Sequence, residues 1–241
     1  MAMNNLHIIT PVKDSIESTL LTLRAVCASK LPGAAQALTV YNDFSTPENT
    51  ARLEAAAKEL GFTLVNLADL TDHPSPNYLL VLQTASRKAL DAGADLIIVE
   101  SDVTVAPDTL RRLHDAADAR PDCGIMAAVT VDDQGAVNYP YLYAKGYAKG
   151  IAPCKKHCSF CCSLLSHELL RRFDFGSLNP EKNWYDVTIS HAAPALGLQN
   201  YLATDIPVVH RPHQSRPWKQ LKYTNPLKYY WKKFTKGLDK I

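Results

Sequence analysis

Two acidic residues separated by one serine directly follow an apolar run whose length and β-branched content are typical of a buried strand. The run is Asp95-Leu-Ile-Ile-Val99, and the acidic motif is Glu100-Ser101-Asp102. Carboxylate oxygens are ligands that Mg²⁺ and Mn²⁺ prefer, usually together with phosphate oxygens of a substrate. The motif therefore predicts a site for a divalent cation, with a solvated loop before the next helix as the alternative.

Polar residues also follow the other apolar runs at the points where strands are expected to end. Pro11 follows the first run, Asn42-Asp43-Phe44-Ser45 follows the second, and His210 follows the last. In an open α/β sheet, ligands bind beyond the carboxyl ends of the strands. We therefore expect these residues and the acidic motif to lie along one edge of a sheet.

The elements that must position these residues alternate short apolar runs with longer helical patterns. Strands are predicted over residues 6–10, 37–41, 62–65, 96–99, 124–130, 137–143, 159–165 and 206–210, and helices over residues 15–29, 47–60, 78–92, 107–119, 166–173 and 186–196. This alternation is typical of an α/β fold built from βαβ units around a mostly parallel sheet. The second helix has the clearest ends because Thr46 and Pro47 mark its start and Gly61 its end.

The composition excludes two large classes of protein. Of the 241 residues, 46% are hydrophobic and 21% are charged, and the apolar runs have the length of strands. Disordered chains contain too few apolar residues to match this, and polytopic membrane proteins need far longer apolar segments. Because residues 1–10 lack the pattern of an export signal, we expect a cytoplasmic protein with reduced cysteines.

The order of the motifs resembles that of the family-2 glycosyltransferases, which have the GT-A fold. The resemblance extends over about residues 6–213. Asn42-Asp43-Phe44-Ser45 stands in place of an Asp-Asp-Gly-Ser type motif, and Glu100-Ser101-Asp102 stands in place of Asp-x-Asp. The other motifs that carry the resemblance are Thr10-Pro11-Val12, Trp184-Tyr185-Asp186 and Val209-His210. The resemblance implies a single GT-A domain over residues 1–213. Its nucleotide-binding half is expected over residues 1–105 and its acceptor-binding half over residues 106–213.

The resemblance also implies a role for each motif. Donor-binding roles are implied for Pro11, Asn42, Asp43, Ser45, Glu100 and Ser101. Asp102 and His210 are implied to hold Mn²⁺ or Mg²⁺, and Asp186 is implied to be the catalytic base that deprotonates the acceptor. From the residues alone, Asp186 also fits the N-cap of the helix that follows, and His210 also fits a structural role at a strand end.

These roles imply an inverting hexosyltransferase that moves one sugar from a nucleotide-diphosphate sugar, expected to be a UDP-sugar. The implied acceptor is a glycan or a lipid-linked hydroxyl in polysaccharide biosynthesis, and a single addition is favoured because the Gln-x-x-Arg-Trp signature of processive synthases is absent. Two alternatives stay open. One is a sugar nucleotidyltransferase, which the lack of a glycine-rich phosphate loop after the first strand disfavours, and the other is a non-catalytic nucleotide-sugar binding module.

A cluster of cysteines in the acceptor-binding half has a spacing that fits a metal. It consists of Cys154, His157, Cys158, Cys161 and Cys162, and the Cys-x-x-Cys spacing within it is found in tetrahedral zinc sites. Buried cysteine also packs as a small apolar side chain, and neighbouring residues of a strand point to opposite faces. Small side chains that line the acceptor end of the sheet are therefore favoured, with a zinc site or a redox role left open.

The formal net charge of +2 conceals an uneven distribution along the chain. Residues 211–241 contain nine lysines and arginines and one acidic residue, a net charge of +8, whereas residues 1–210 carry −6. We predict a basic aromatic arm over residues 214–241, with a helix from about Pro226 that would place an apolar stripe on one face. The stripe consists of Leu227, Tyr230, Trp231 and Phe234.

Such a stripe fits two different surfaces. A basic, aromatic helix can lie in the headgroup region of an anionic membrane, here the inner face of a cytoplasmic membrane. The same stripe can pack on the acidic body of the protein. No motif that reads bases accompanies the arm, so no nucleic-acid partner is expected.

Overall fold

One sheet joins the two predicted halves of the chain. The computed structural model describes residues 5–29, 36–154, 156–181, 184–212 and 225–235. Its strands are β1 (Asn5–Val12), β2 (Gln36–Asn42), β3 (Thr63–Asn66), β4 (Ala94–Val99), β5 (Val103–Thr104), β6 (Cys123–Val131), β7 (Ile151–Pro153), β8 (Cys162–Leu165) and β9 (Gln199–His210). Its helices are α1 (Ile16–Cys27), α2 (Pro47–Leu60), α3 (Tyr78–Asp91), α4 (Thr109–Asp118), α5 (His167–Arg172), α6 (Tyr185–Ala192) and α7 (Pro226–Thr235).

The strands lie in the order β3-β2-β1-β4-β8-β6-β9-β5, and β7 pairs with β9 outside this path. The pairs among the first four strands are parallel, and β6 is parallel to β9. Strand β8 runs antiparallel between β4 and β6. The predicted α/β fold with a mostly parallel central sheet flanked by helices is therefore confirmed, and β8 is the strand that connects its halves.

The hydrophobic core lies on both faces of this sheet because successive side chains of a strand point to opposite sides. Strand β4 shows the effect, since all six of its residues are buried. Leu96 and Ile98 pack in a cluster with α3, α5 and α6, whereas Ile97 and Val99 pack in a cluster with α1 and α4. A strand covered on both faces is apolar throughout, and its burial fixes the position of the acidic motif that follows it.

The ends of α2 follow the residues that predict them. The N-cap is Thr46, whose side-chain oxygen accepts a hydrogen bond from the N–H of Asn49 at 3.3 Å, and Pro47 is the first helical residue. Gly61 ends the helix with φ at 78°, a left-handed conformation that favours glycine. The start of α2 therefore fixes where the segment after β2 must turn.

The predicted strand over residues 137–143 is wrong. Val137 makes a single bridge to Val131, and the chain then enters a short 3₁₀ helix at Leu142–Ala144. Pro140 interrupts the run because proline has no N–H to donate to a neighbouring strand. The segment instead passes close to the end of β9, where Asn138 and Tyr139 contact His210.

Helix α7 covers part of the predicted basic arm. Its described stripe residues face outward, with Leu227 86% exposed and Trp231 65% exposed, whereas Tyr229 is buried. The side chain of Phe234 and residues 214–224 and 236–241 lie outside what the structure describes. Among the described helices, none has both the length and the apolar character required to cross a membrane.

Candidate active site

The acidic motif lies in the tight turn that joins β4 to β5. The N–H of Glu100 donates to the carbonyl of Cys161 at 2.9 Å, and the N–H of Val103 donates to the carbonyl of Glu100 at 3.1 Å. Ser101 and Asp102 are buried, and Glu100 is half-buried. The buried strand and the turn after it therefore hold both carboxylates at the carboxyl end of β4.

Strand β9 brings His210 to this turn. Strands β5 and β9 pair antiparallel with Val103 opposite His210, and the N–H of Arg211 donates to the carbonyl of Asp102 at 2.9 Å. As a result, Nε2 of His210 lies 3.4 Å from Oδ2 of Asp102, and both side chains are buried. The two residues predicted to hold a cation are thus adjacent.

The imidazole of His210 is oriented by the segment in which a strand was predicted. Its Nδ1 lies 2.7 Å from the carbonyl oxygen of Tyr139, which can only accept, so Nδ1 carries a proton. The side-chain amide of Asn138 donates to the carbonyl of His210 at 2.9 Å and holds the segment against β9. In the neutral ring, the lone pair of Nε2 therefore faces Asp102, as required of a metal ligand.

Cys161 also lies at this point, and sequence reasoning did not include it among the site residues. Its Sγ lies 3.4 Å from Oε2 of Glu100 and 3.9 Å from Nε2 of His210. One ligand atom from each of these three residues lies within 4.8 Å of the others. The cysteine cluster was the only feature of the sequence that pointed to Cys161 as a metal ligand. The cluster does not indicate that the turn before β8 lies against the end of β4, which is what brings Cys161 to Glu100.

Several carboxylates lie close to one another around Glu100. Burial raises the pKa of Glu100 to about 7, with the carboxylates of Asp102 and Asp186 adding to the rise and His210 opposing it. Burial acts to lower the pKa of His210, but its contact with Asp102 and the charge of Glu100 outweigh burial and raise it. A divalent cation would relieve the repulsion. The donor atoms that lie close enough together to hold one ion are those of Glu100, Cys161 and His210, and Asp102 lies against His210 beside them.

Asp186 lies in the first turn of α6, close enough to the group for its charge to raise the pKa of Glu100. The N-cap of α6 is Trp184, and Oδ1 of Asp186 accepts from the N–H of Val187 at 2.9 Å. The interpretation of Asp186 as the N-cap is therefore wrong. A carboxylate in the first turn of a helix lies at the end where the helix dipole favours negative charge.

Tyr78, the first residue of α3, is a second residue that sequence reasoning missed. Burial raises the pKa of its hydroxyl well above the usual value, and the charges of Glu100 and Asp186 and the thiol of Cys161 add to the rise. The buried hydroxyl has no hydrogen-bond partner among the residues that the structure describes. It is therefore available to a ligand bound near these acids.

The predicted donor-binding residues that follow β1 and β2 form another hydrogen-bonded group. The amide of Asn42 donates to Oγ1 of Thr50 at 3.0 Å and to Oδ1 of Asn66 at 2.9 Å. The hydroxyl of Ser45 accepts from the N–H of Asp14 at 2.8 Å and so ties the turn after β2 to the turn after β1. Pro11, which was expected to follow the first strand, lies within β1 opposite Tyr41 of β2. Their roles in binding a donor stay predictions.

A groove of about 270 Å³ opens beside this group. Its lining includes Phe44 after β2, Asn66 at the end of β3 and Asp69 after β3. An aromatic ring beside amide and carboxylate groups suits a flat heterocycle that carries hydrogen-bond donors and acceptors.

Asp43 anchors the segment that leads into α3. One of its oxygens, Oδ2, accepts from the hydroxyl of Ser75 at 2.7 Å and from the N–H of Asn77 at 2.9 Å, and Oδ1 accepts from the side-chain amide of Asn77 at 2.8 Å. Asn77 directly precedes Tyr78. Asp43 therefore helps to position the helix that carries the buried hydroxyl, in addition to any contact it makes with a donor.

Replacing Asp43 by asparagine is expected to lower the free energy of unfolding by about 1 to 3 kcal/mol, because an NH₂ group would face the donors of Ser75 and Asn77. In a chain of this size, each 1 kcal/mol corresponds to about 2 to 4 °C in melting temperature, which a thermal unfolding scan resolves. Asp69→Asn is the matched control, since Asp69 is exposed in the same groove. Equal melting temperatures for the two variants would contradict the anchoring role.

The cysteine cluster does not assemble into one site. The only group of three candidate ligand atoms among the described residues is Glu100, Cys161 and His210, so Cys154, His157 and Cys158 are not part of one. Cys154 and Cys158 pack in the core cluster on one face of the sheet, and Cys161 and Cys162 pack in the cluster on the other. Strand β8 begins only at Cys162, so the alternation expected over residues 159–165 does not apply to Cys161.

Comparison with solved structures decides the fold. The chain superimposes on the mannosyltransferase PcManGT from Pyrobaculum calidifontis, solved in complex with GDP-Man and Mn²⁺, with a TM-score of 0.68 and 17% identity over 97% of this chain. The chain has a GT-A glycosyltransferase fold. It is also similar to GalNAc-T7 solved with UDP, GalNAc and Mn²⁺ (TM-score 0.66, 13% identity, 88% of this chain) and to TarS of S. aureus (TM-score 0.63, 14% identity, 91% of this chain).

The GT-A domain of this chain is shorter than these proteins. It spans 65% of the mannosyltransferase chain, 45% of the GalNAc-T7 chain and 38% of the TarS chain. No family model and no curated protein matches the sequence. The similarity therefore shows the fold alone.

One departure from the motifs of this fold family is explained by the backbone. Phe44 stands where the Asp-Asp-Gly-Ser type motif has glycine, and its φ is 57°, in the left-handed region that favours glycine. Its ring is partly buried against the core cluster that contains Tyr41 and Leu67. The turn after β2 thus keeps a glycine-like conformation although the residue differs.

Proposed function

We propose that the chain is an inverting glycosyltransferase that moves one sugar from a nucleotide-diphosphate sugar to a hydroxyl of a glycan or lipid-linked acceptor. The observation that carries the proposal is the contact of His210 with Asp102 beside Glu100 at the carboxyl end of β4. The charge of Asp186, in the first turn of α6, acts on this group by raising the pKa of Glu100, which supports its role as the base. A base and a cation site close together are what this reaction requires.

The roles of the chain's own residues follow from this arrangement. Asp102 and His210, with Glu100 beside them, would hold a divalent cation whose chemistry is to neutralise the departing diphosphate. Asp186 accepts the proton of the acceptor hydroxyl. That hydroxyl attacks the anomeric carbon on the face opposite the leaving group, which inverts its configuration. The hydroxyl of Tyr78 donates a hydrogen bond to the substrate in the same space.

The donor is proposed to be a nucleotide sugar whose base occupies the groove beside Phe44. Two of the similar structures were solved with GDP-Man and with UDP and GalNAc, which supports the class of donor and leaves both bases to be tested. We retain a UDP-sugar as the first candidate. Asn42 and Ser45 line this groove, and Asp43, which lies near them after β2, is proposed to contact the donor as well.

The test is a panel of UDP- and GDP-sugars incubated with the full chain and Mn²⁺, with release of nucleoside diphosphate as the readout. One donor is expected to release diphosphate slowly by hydrolysis without an acceptor, and to raise the melting temperature because it binds the native state. Release of pyrophosphate from a nucleoside triphosphate and a sugar phosphate would indicate a nucleotidyltransferase instead. Donor binding without release, with or without a panel of glycan and lipid-linked acceptors, would indicate a binding module.

We further propose that α7 contacts an anionic membrane. The described stripe residues Leu227, Tyr230 and Trp231 are exposed, while Tyr229 is buried, so the helix is held by another side and presents its apolar stripe outward. Lys228 is exposed beside the stripe and supplies positive charge for anionic headgroups. This arrangement favours the membrane over packing of the stripe on the body.

Replacing Leu227 and Trp231 together by glutamate is expected to abolish sedimentation of the protein with vesicles of phosphatidylglycerol and phosphatidylcholine. Both residues are exposed, so the melting temperature should stay within about 2 °C of the wild type. Binding of the wild type should fall as salt is raised, because anionic lipids attract the lysines electrostatically. Equal sedimentation of the two proteins would contradict the membrane contact.

A further inference from the structure

We propose that Cys161 supplies a sulphur ligand to the cation centre and thereby gives it a preference for soft or borderline metals such as Zn²⁺ and Cd²⁺ over Mg²⁺. The inference rests on the proposed function for the presence of a cation at the end of β4. It goes further in assigning a ligand, and hence a metal preference, that the acidic motif alone does not indicate.

The thiol of Cys161 lies beside two other groups that can bind a metal. Its Sγ lies within reach of a carboxylate oxygen of Glu100 at 3.4 Å and of Nε2 of His210 at 3.9 Å. These atoms come from three separate segments, the turn after β4, the turn before β8 and the end of β9, yet all lie within 4.8 Å of one another. Three donors around one point can hold a single ion between them.

The donors around the thiol are arranged to accept a metal. The Nδ1 proton of His210 is committed to the carbonyl of Tyr139, which leaves Nε2 to the centre. The backbone of Cys161 is itself tied to the centre, because its carbonyl accepts the N–H of Glu100 at 2.9 Å. Cys162, by contrast, lies within β8 opposite Val99. Of two adjacent buried cysteines, Cys161 alone is among the candidate ligands in the described residues.

The chemistry of the donor set decides the preference. Mg²⁺ takes oxygen ligands in near-octahedral geometry, whereas thiolate and imidazole favour Zn²⁺ and similar ions. A metal that binds sulphur displaces the thiol proton to solvent, so one proton is released as one metal–sulphur bond forms. A set of one carboxylate, one thiolate and one imidazole, with Asp102 against the histidine, resembles three-ligand zinc sites that keep a further position open.

Titration of the full chain with Cd²⁺ tests the assignment without any turnover. Wild type is expected to develop the ultraviolet charge-transfer band of a cadmium–thiolate bond at one equivalent of metal. In Cys161→Ser, the band should be lost and Cd²⁺ affinity should fall by on the order of 10-fold or more. Two matched controls, Cys162→Ser and Cys154→Ser, should keep the band, and far-ultraviolet circular dichroism reports whether each variant is folded.

A band that persists in Cys161→Ser, or that is lost in Cys154→Ser instead, would overturn the proposal. If Cys161→Ser does not fold, X-ray absorption of the zinc-loaded wild type decides the question: one sulphur at about 2.3 Å beside nitrogen and oxygen ligands supports it, and no sulphur or two overturns it. Failure of the nucleotide-sugar panel would leave this result standing. An active transferase whose metal lacks a sulphur ligand would overturn only the role of Cys161.

Discussion

Asp186→Asn is expected to lower the rate of sugar transfer by about two to four orders of magnitude, the usual contribution of a general base. Asparagine keeps the shape of the side chain but cannot accept the proton of the acceptor hydroxyl. It also removes one of the negative charges that raise the pKa of Glu100, so binding of the donor should not be impaired. The measurement is the rate of transfer at saturating donor, beside the thermal shift that the donor produces.

The control for this variant is Asp118→Asn, which makes the same chemical change at an exposed residue at the end of α4. It should transfer sugar at the wild-type rate. An Asp186→Asn enzyme that retains transfer within about threefold of wild type would remove Asp186 from the mechanism, since a base contributes far more than that. Loss of both donor binding and transfer would instead point to a positioning role for Asp186.

Asp102→Asn is expected to abolish most of the stabilisation that Mn²⁺ gives the protein. For the wild type, metal at about 100 times its dissociation constant should add about 2.7 kcal/mol, or about 5 to 10 °C in melting temperature. If the variant binds about 100-fold more weakly, the same concentration of Mn²⁺ adds less than about 1 kcal/mol. Thermal unfolding with and without Mn²⁺ measures both shifts.

Without metal, this variant should melt close to the wild type, because two effects oppose each other. The substitution weakens the contact between His210 and Asp102, but it also relieves the repulsion between Asp102 and Glu100. Asp118→Asn again serves as the control and should show the full Mn²⁺ shift. An Asp102→Asn protein with an undiminished shift would place the cation elsewhere.

Local patterns in the sequence predict much of the fold. Thr46, Pro47 and Gly61 fix both ends of α2, and the uninterrupted apolar run at β4 identifies a strand covered on both faces. In these places, the information is contained within a few neighbouring residues. The order of the polar residues at the ends of β4 and β9 also predicts that Asp102 and His210 come together, because parallel strands end at the same edge.

The parts that the sequence did not predict depend on contacts between distant segments. Cys161 reaches Glu100 only because β8 pairs with β4, and no local pattern indicates that pairing. The carbonyl of Tyr139 orients His210 because a segment that looks like a strand is interrupted at Pro140. The hydroxyl of Tyr78 is significant only through what surrounds it, since a tyrosine at the start of a helix carries no signal of its own.

The place of β8 in the sheet has a consequence for how the chain folds and whether it can be divided. Because β8 fills the gap between β4 and β6, a fragment that ends at residue 105 would leave one edge of β4 unpaired. An unpaired apolar edge is a template for pairing with other chains, so such a fragment is expected to aggregate. The intact sheet must instead wait for β8 to arrive from far along the chain, which favours slow, cooperative folding of both halves together.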